Sequence, residues 1–525
     1  MDQVFTDAPV GGVDRAAALA AAHSDTYYQA LVSRDARFDG RLFVGVSSTG
    51  IYCRPICRVR TPKQQNCRFF ATAAQAEAAR FRPCLKCRPE LAPRQHEPWT
   101  VMDASRTLAR QAAVLLDGWT AAGDASTIAD LASGLGVSER HLRRIFLAEH
   151  GVTALQYLQT RRLLLAKQLL TETTLPIAQV ALASGFRSLR RFNAAFVEHY
   201  RLNPGRLRAE GATALAEPPS GIGVQLVYRL PYDRQRLLAF FAQRAIPGIE
   251  AVDDWTVRRT LRAGALGGAA GSPAGWIEAR FDAAAPRLQL QFSPELLPHS
   301  SLLLAAVRRW LDLDLLPDVV DAALADLPGE PGLRLPGSVD GFELAVRAVL
   351  GQQVTVAAAR TLARRLVEQH GETIVTPWPD VDRLFPAPHT VAGLTVDAIA
   401  GLGIIRSRAQ AIVALANAWP ILRGAMAPGS PAQPLIDSLC ALPGIGPWTA
   451  NYIAMRALGW PDAFPPGDVA VLKAIRQLAG GQPASAATPG SAAGRLVIEQ
   501  TAEAWRPWRS YAVLRLWNSL QPAGR

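Results

Sequence analysis

Along residues 126–146, STIADLASGLGVSERHLRRIF, apolar positions recur at helical spacing on both sides of a glycine-containing turn. The pattern predicts two short helices whose Ile128, Leu131, Leu135, Val137, Leu142 and Ile145 face a small shared core, with Ser126 and Ser138 as N-caps. Residues 175–199, LPIAQVALASGFRSLRRFNAAFVEH, repeat the plan, with Pro176 at a helix start, Gly185 in the turn and Ser188 as the next cap. The stretch 210–221, EGATALAEPPSG, is small and proline-containing and reads as a linker. Beyond it the period changes. VQLVYRLPYDRQRLLAFFAQRAI predicts a strand and then an amphipathic helix, and WIEARFD and RLQLQFS alternate as strands, with the glycine-rich 263–275 as a loop before the first. From about 338 the pattern is mainly helical, and the tract 480–494 reads as a surface loop. No apolar run approaches the ~18 residues of a membrane span, and the N-terminus lacks the basic and apolar regions of a secretory signal. A soluble cytoplasmic protein is expected.

Charge sharpens this picture through its distribution. Residues 41–94 hold 11 Lys/Arg against 2 Asp/Glu and residues 98–208 hold 14 against 8, whereas 222–525 hold 28 against 25. The excess in the first two fifths points to a polyanion, nucleic acid above all, although a chain this rich in Ala, Gly and Pro also uses Arg freely. On the two helix-turn-helix patterns, the helices led by Ser138 and Ser188 would enter successive major grooves. Arg140, His141, Arg143, Arg144, Arg187, Arg190, Arg191 and Asn193 are the candidate contacts.

Cys53, Cys57, Cys84 and Cys87 form a C-x3-C and a C-x2-C pair separated by 26 residues. Two such knuckles complete a tetrahedral four-cysteine zinc site, and the alternative of two disulfides is disfavoured in a reducing cytoplasm. Cys67 lies outside the pattern and reads as packing. Thr49, Arg54, Arg58, Arg60, Arg82, Lys86 and Arg88 surround the cysteines with cations and a hydroxyl, suiting zinc thiolates that take an alkyl group from DNA. The segment TGIYCRPIC…FRPCLKCRPE resembles the N-terminal domain of the Ada adaptive-response family. That resemblance implies that Cys53 irreversibly accepts methyl from a backbone methylphosphotriester, with Cys57, Cys84 and Cys87 as the other ligands. It also implies phosphate contacts at Thr49, Arg60 and Lys86, the last standing where the family has arginine. The second helix-turn-helix, with GF before its helix and NPGRLR after it, resembles the AraC family of activators, which implies promoter DNA and RNA polymerase as partners.

LPGIGPWTANY, 442–452, puts a proline- and glycine-rich turn directly before an aromatic-bearing helix. Gly444 and Gly446 would let backbone N–H groups point outward at the helix start, a nest for a DNA phosphate, directly or through a bridging cation. Trp448 and Tyr452, four apart, share one helix face. Sixteen residues past Tyr452, Asp468 opens the helix of FPPGDVAVLKAI. Taken singly, Asp468 reads as an N-cap and the two aromatics as core. Together with the hairpin they resemble the helix-hairpin-helix, Gly/Pro-Asp glycosylases, and 222–525 resembles the AlkA 3-methyladenine glycosylases in particular. The resemblance implies Asp468 as the catalytic aspartate and Phe240, Trp448, Tyr452 and Trp508 around the base. It implies Gln352 and Gln353 on the intercalating loop, the second standing where AlkA has a leucine. No lysine lies between 440 and 472, where lyase relatives carry a Schiff-base lysine, and no cysteine follows Cys440, which reads as buried packing. The Pro-Cys-His-Arg site of a second methyltransferase is also missing.

The expected fold is multidomain α+β. A small zinc-bound α/β domain (1–95) precedes an all-α tandem helix-turn-helix domain (96–209) and the linker (210–221). An α+β N-terminal glycosylase domain (222–330) and an all-α helix-hairpin-helix domain (331–525) follow. The expected function is an alkylation-damage sensor, DNA-binding regulator and monofunctional glycosylase acting on alkylated double-stranded DNA, with one Zn²⁺. Two rivals are a regulator with an inactive glycosylase half and a glycosylase with a purely structural zinc domain.

Overall fold

A computed structural model describes residues 24–93, 104–119, 127–211, 221–266, 271–427, 429–478 and 500–520. Ser126, most of the expected linker and the 480–494 tract lie outside them. The chain divides into two compact units, with the described residues up to 211 in the first and those from 221 onward in the second.

The first unit opens with α1 (Ser24–Val32), then β1 (Phe43–Val46), β2 (Ile51–Cys53), β3 (Cys67–Phe70), α2 (Ala73–Ala78) and β4 (Arg82–Pro83). The strands form one sheet in the order β3-β1-β2-β4, in which β2 and β4 run parallel. Helices follow: α3 (Ala104–Gly118), α4 (Ile128–Gly134), α5 (Glu139–His150), α6 (Ala154–Glu172), α7 (Ile177–Ala183), α8 (Leu189–Tyr200) and α9 (Pro204–Gly211). Pairs α4–α5 and α7–α8 are the two predicted helix-turn-helix units. Gly136 (φ 68°) and Gly185 (φ 81°) take the left-handed turns that an L side chain rarely adopts. Ser138 and Ser188 cap α5 and α8 as expected, accepting from the amides of His141 and Arg191. The cap of α4 is Thr127 rather than Ser126. Thr127 accepts from the Asp130 amide while Asp130 reaches back to the Thr127 amide, a reciprocal box.

The second unit carries β5 (Ile222–Val227), α10 (Arg234–Arg244), β6 (Glu250–Val252), β7 (Thr256–Arg262), β8 (Ala274–Phe281) and β9 (Arg287–Phe292). These strands make one fully antiparallel sheet in the order β5-β9-β8-β7-β6. The helical part comprises α11 (Ser300–Trp310), α12 (Pro317–Ala323), α13 (Gly341–Leu350), α14 (Val356–His370), α15 (Pro388–Ala392), α16 (Val396–Ala400), α17 (Arg406–Ala425), α18 (Ala432–Cys440), α19 (Pro447–Ala457), α20 (Val469–Leu478) and α21 (Arg509–Ser519). Helices α13, α14, α17, α18 and α19 bury one continuous apolar core, and α20 with α21 close a second. Helix α18 turns Leu435, Ile436 and Leu439 inward, so Cys440, one residue on, is exposed rather than packed.

Candidate functional sites

Two backbone ladders bring the cysteine pairs together. Cys53 ends β2, opposite Val44 of β1. Parallel pairing of β4 with β2 carries the chain into Cys84, whose amide donates to the Tyr52 carbonyl at 3.0 Å. The sulfurs of Cys53, Cys57, Cys84 and Cys87 all lie within 4.8 Å of one another. Four sulfurs at ~2.3 Å from one ion sit about 3.8 Å apart, so the cluster has the dimensions of a zinc site. Hydrogen bonds from Cys57, Cys84 and Cys87, with burial, push the Cys53 thiol up; a cation among the sulfurs reverses that preference. Cys67 stays outside, its Sγ 3.4 Å from the Lys63 carbonyl.

Of the cations expected around this cluster, two are used internally. Arg54 is buried against Asp39, with Nε–Oδ1 at 2.7 Å, and donates to the Cys87 carbonyl at 3.1 Å. Arg88 bonds Glu90 at 3.0 Å and Glu172 at 2.7 Å. Thr49, Arg58, Arg60 and Lys86 remain exposed as a rim, with Arg82 half-buried.

Helix α6, which joins the two helix-turn-helix units, is fastened to the second knuckle. Buried Lys167 pairs with Glu90 and donates to the carbonyl of Cys84 at 3.2 Å, while Arg88 bonds Thr171 and Glu172 near the end of α6. Glu77 ties the sheet to the same helix, accepting from Tyr52 Oη at 2.9 Å and Thr160 Oγ1 at 3.0 Å. Burial pushes Glu77 up from 4.5 to about 7 against those hydrogen bonds. Below pH 4.5 both folded and unfolded chains hold the proton. Between 4.5 and about 7 only the folded chain does, so stability falls as pH rises through that window, by roughly 3 kcal/mol in total, and is flat above it. The difference in stability between the unaltered chain and Glu77→Gln, from denaturant titrations between pH 4.5 and 8, is expected to follow this slope.

The candidate base-contacting side chains of both recognition helices are outward-facing. Arg140, Arg143 and Arg144 on α5 are exposed, as are Arg190, Arg191 and Asn193 on α8 and Arg187 just before it. His141 is half-buried and within 3.1 Å of Arg144. Buried Leu142, Ile145 and Phe192, Phe196 on the opposite faces hold the two helices in place.

In the second unit the hairpin joins α18 to α19. Gly444 has φ 78°, and an added Cβ would lie 3.0 Å from Ala411, so glycine is required there. Gly446 has φ −93° and faces open space, so its role is that of an exposed N-cap with Pro447 at the first helical position. Buried Ile445 anchors the turn between these exposed residues. Trp448 and Tyr452 then stack, with ring centroids 5.3 Å apart and planes within 10°. Asp468 sits beneath them at 6% exposure. Its Oδ2 accepts from Trp448 Nε1 at 2.8 Å, and its Oδ1 from the Val471 amide at 2.8 Å and from Trp517 Nε1 at 3.2 Å. The aspartate is thus an N-cap for α20 and also a carboxylate held between two indoles. Phe240 of α10 joins through Arg456, whose guanidinium lies 4.8 Å from the Phe240 ring and donates to Tyr452 Oη at 2.9 Å.

Trp508 is not part of this group. At 3% exposure it packs edge-on to Tyr511 in the helical core. Nine residues on an α-helix are two and a half turns, so Trp508 and Trp517 lie on opposite sides of α21. Trp517, which faces Tyr452 at 6.3 Å and Asp468, takes the place expected of Trp508. On the turn between α13 and α14, Gln352 donates to Gly444 O at 2.9 Å and Thr449 Oγ1 at 3.1 Å, bolting that loop to the hairpin. Gln353, exposed with φ 53°, stands at its tip.

Family profiles match four successive stretches: the metal binding domain of Ada over 26–90, a helix-turn-helix domain over 131–210, the AlkA N-terminal domain over 223–340, and the HhH-GPD superfamily of base excision DNA repair proteins over 346–490. A probable bifunctional transcriptional activator/DNA repair enzyme AlkA of Mycobacterium tuberculosis is 36% identical over 505 residues, covering 94% of this chain and 96% of that protein. The chain belongs to this family of bifunctional activator and DNA repair proteins. DNA-3-methyladenine glycosylase 2 of Escherichia coli is 37% identical over 296 residues, 56% of this chain and 95% of that protein. The bifunctional activator/DNA repair enzyme Ada of the same organism is 36% identical over 139 residues, 26% of this chain and 36% of that protein.

In a member of this family the four-cysteine cluster holds one Zn²⁺, the second unit is a DNA glycosylase, and DNA is the partner. Among the described residues no helix is long and apolar enough to cross a membrane. Metal removal has a predictable reach. Losing the ion frees the second knuckle, and the buried Lys167 and Arg88 then lose the Cys84 carbonyl and the Glu90 carboxylate that hold them. Structural zinc is worth ~10–16 kcal/mol in small domains, so chelation is expected to unlock α6 as well as the cysteine loops. Hydrogen exchange read at residues 158–172, with and without chelator, measures it.

Proposed function

We propose that the chain runs two repair chemistries and a regulatory one, divided as 1–95, 96–209, 210–221, 222–330 and 331–525. The observation that carries the glycosylase reading is the Asp468 carboxylate, fixed by the Trp448 and Trp517 indoles beside the Tyr452 ring. A base within a duplex is out of reach, so it is flipped into the pocket at a cost of a few kcal/mol. The Leu442–Gly446 turn takes a backbone phosphate, directly or through a bridging cation, and Gln353 fills the gap in the stack from the tip of the loop that Gln352 bolts to the hairpin. A 3-methyl or 7-methyl purine is positively charged and leaves readily once its bond to C1′ breaks. Phe240, Trp448, Tyr452 and Trp517 hold it, and Asp468 stabilises the positive sugar while water adds to C1′. The base departs neutral with the bonding electron pair, and the proton of the water goes to solvent.

In the first unit, Cys53, Cys57, Cys84 and Cys87 would hold the Zn²⁺, which when bound would keep their sulfurs deprotonated. Cys53 Sγ attacks the methyl carbon of a phosphotriester as the O–CH₃ bond breaks, giving a thioether and a restored, negatively charged phosphodiester. Thr49, Arg60 and Lys86 hold the phosphate. The exchange removes one negative charge from a site rimmed by Arg58, Arg60 and Lys86, and DNA affinity rises. Arg140, Arg143, Arg144, Arg187, Arg190 and Arg191 read or grip promoter DNA, and RNA polymerase is the partner recruited in the cytoplasm.

The position on α19 where a lyase would carry its lysine is Trp448, and Lys473 is exposed on α20, so the strand is left uncut. Incubation with methylated duplex is expected to release free 3-methyladenine and leave an intact abasic strand. Strand nicking, or a borohydride-trapped protein–DNA adduct, would show a lyase instead.

A further inference from the structure

Two guanidiniums lie against the aromatic side chains of the pocket. Arg244 sits 3.7 Å from the Phe240 ring centroid and Arg456 4.8 Å from the same centroid. Arg456 is also 5.5 Å from the Tyr452 centroid and donates to its hydroxyl. Arg456 is buried and held by the carbonyls of Pro336 (2.7 Å) and Gly337 (3.3 Å). The Nη1 of Arg244 donates to the Phe240 carbonyl at 3.2 Å. Among the described residues neither arginine has a carboxylate within ion-pairing distance. The acids nearby are committed elsewhere: Glu250 and Glu343 are each shared between Arg259 and Arg347. Arg347 in turn donates to the Arg244 carbonyl. The uncompensated charge acts on its surroundings. Burial alone would raise Tyr452, yet Arg456 and Arg244 outweigh it and lower that phenol.

Attraction between a cation and a ring is electrostatic, so a ring already carrying a guanidinium draws a second cation less strongly. Positive charge held against these rings also repels a positive base directly, least screened where water is excluded. A pocket built only to prize charged purines would leave its rings free of cations. We propose that Arg244 and Arg456 are selectivity-determining residues that hold down the pocket's preference for positively charged purines over neutral ones. The inference rests on the glycosylase reading.

The test uses the full chain and two duplexes that differ in one base, 7-methylguanine (a cation) or hypoxanthine (neutral), and reads kcat/KM for release of each. Arg244→Met removes the charge and keeps bulk, and it is expected to raise the charged-to-neutral ratio by about tenfold. Arg244→Lys keeps the charge and is expected to leave the ratio within about threefold. Arg456→Gln, which retains a donor for Tyr452, is expected to raise the ratio as Arg244→Met does. Because the readout is a ratio, a partly unfolded variant does not mimic the effect. A ratio unmoved by Arg244→Met, or moved equally by Arg244→Met and Arg244→Lys, overturns the inference while leaving the glycosylase reading intact. Release of neither base by the unaltered protein overturns the glycosylase reading itself.

Discussion

Asp468→Asn is expected to slow release of 3-methyladenine by about 100- to 1000-fold, the size of effect seen when one preorganised charge-stabilising group is removed from an active site. The substitution is close to isosteric. Asparagine is as good an N-cap as aspartate, so the start of α20 at the Val471 amide keeps its acceptor. Because the Val471 amide and Trp517 share Oδ1, it is the Trp448 indole N–H, on Oδ2, that then meets an amide N–H₂ instead of an oxygen, costing about 1 kcal/mol of stability. Affinity for methylated duplex should change by no more than a few-fold, because the hairpin and the Gln352–Gln353 loop are untouched. Single-turnover base release, with binding measured separately, distinguishes lost chemistry from lost binding. A variant that binds poorly yet reacts at the normal rate would make Asp468 a cap and nothing more.

The second large effect is at Cys53. Cys53→Ala is expected to abolish transfer of methyl from phosphotriesters to protein, and with it any rise in promoter affinity after exposure to methylated DNA. Base release continues, since that reaction is assigned to Asp468 and the aromatic pocket. Peptide mapping of the methylated protein checks the assignment among four sulfurs that lie within 4.8 Å of each other. Methyl found on Cys57, Cys84 or Cys87 would contradict it. The result bears on regulation because the second knuckle carries Arg88 and lies against Lys167, both bonded across to or from α6. A change at the sulfurs is therefore adjacent to the helix that spaces the two recognition helices.

Where local chemistry decides, the sequence is readable. Cysteine spacing implies the cluster, Ser138 and Ser188 declare their helices, and the hairpin helix meets the downstream aspartate through Trp448 and Asp468. Partners chosen by tertiary packing are not readable in the same way. Arg54 and Arg88 look like free cations beside the cysteines, but Asp39, Glu90 and Glu172, brought in by the fold, consume them. Trp508 and Trp517 both belong to WRPWRSYAVLRLW, and only the helical phase separates them: half a turn puts one in the core and the other on Asp468. That phase was available from spacing alone, given a helix start near 509. Arg244 and Arg456 carry no motif. Arg244 reaches Phe240 from four residues on along α10, but the contact of Arg456 with Phe240 depends on α10 meeting α19, some two hundred residues later.

The most direct measurement follows both products from one reaction. Intact protein is mixed with duplex DNA bearing radiolabelled methyl groups on bases and phosphates, and label is counted in free purine and on protein over time. The account predicts a plateau at one methyl per chain, mapped to Cys53, while free methylated purine keeps accumulating well past one per chain. Continued purine release with no label on the protein would make the zinc domain structural and contradict the claim of two repair chemistries.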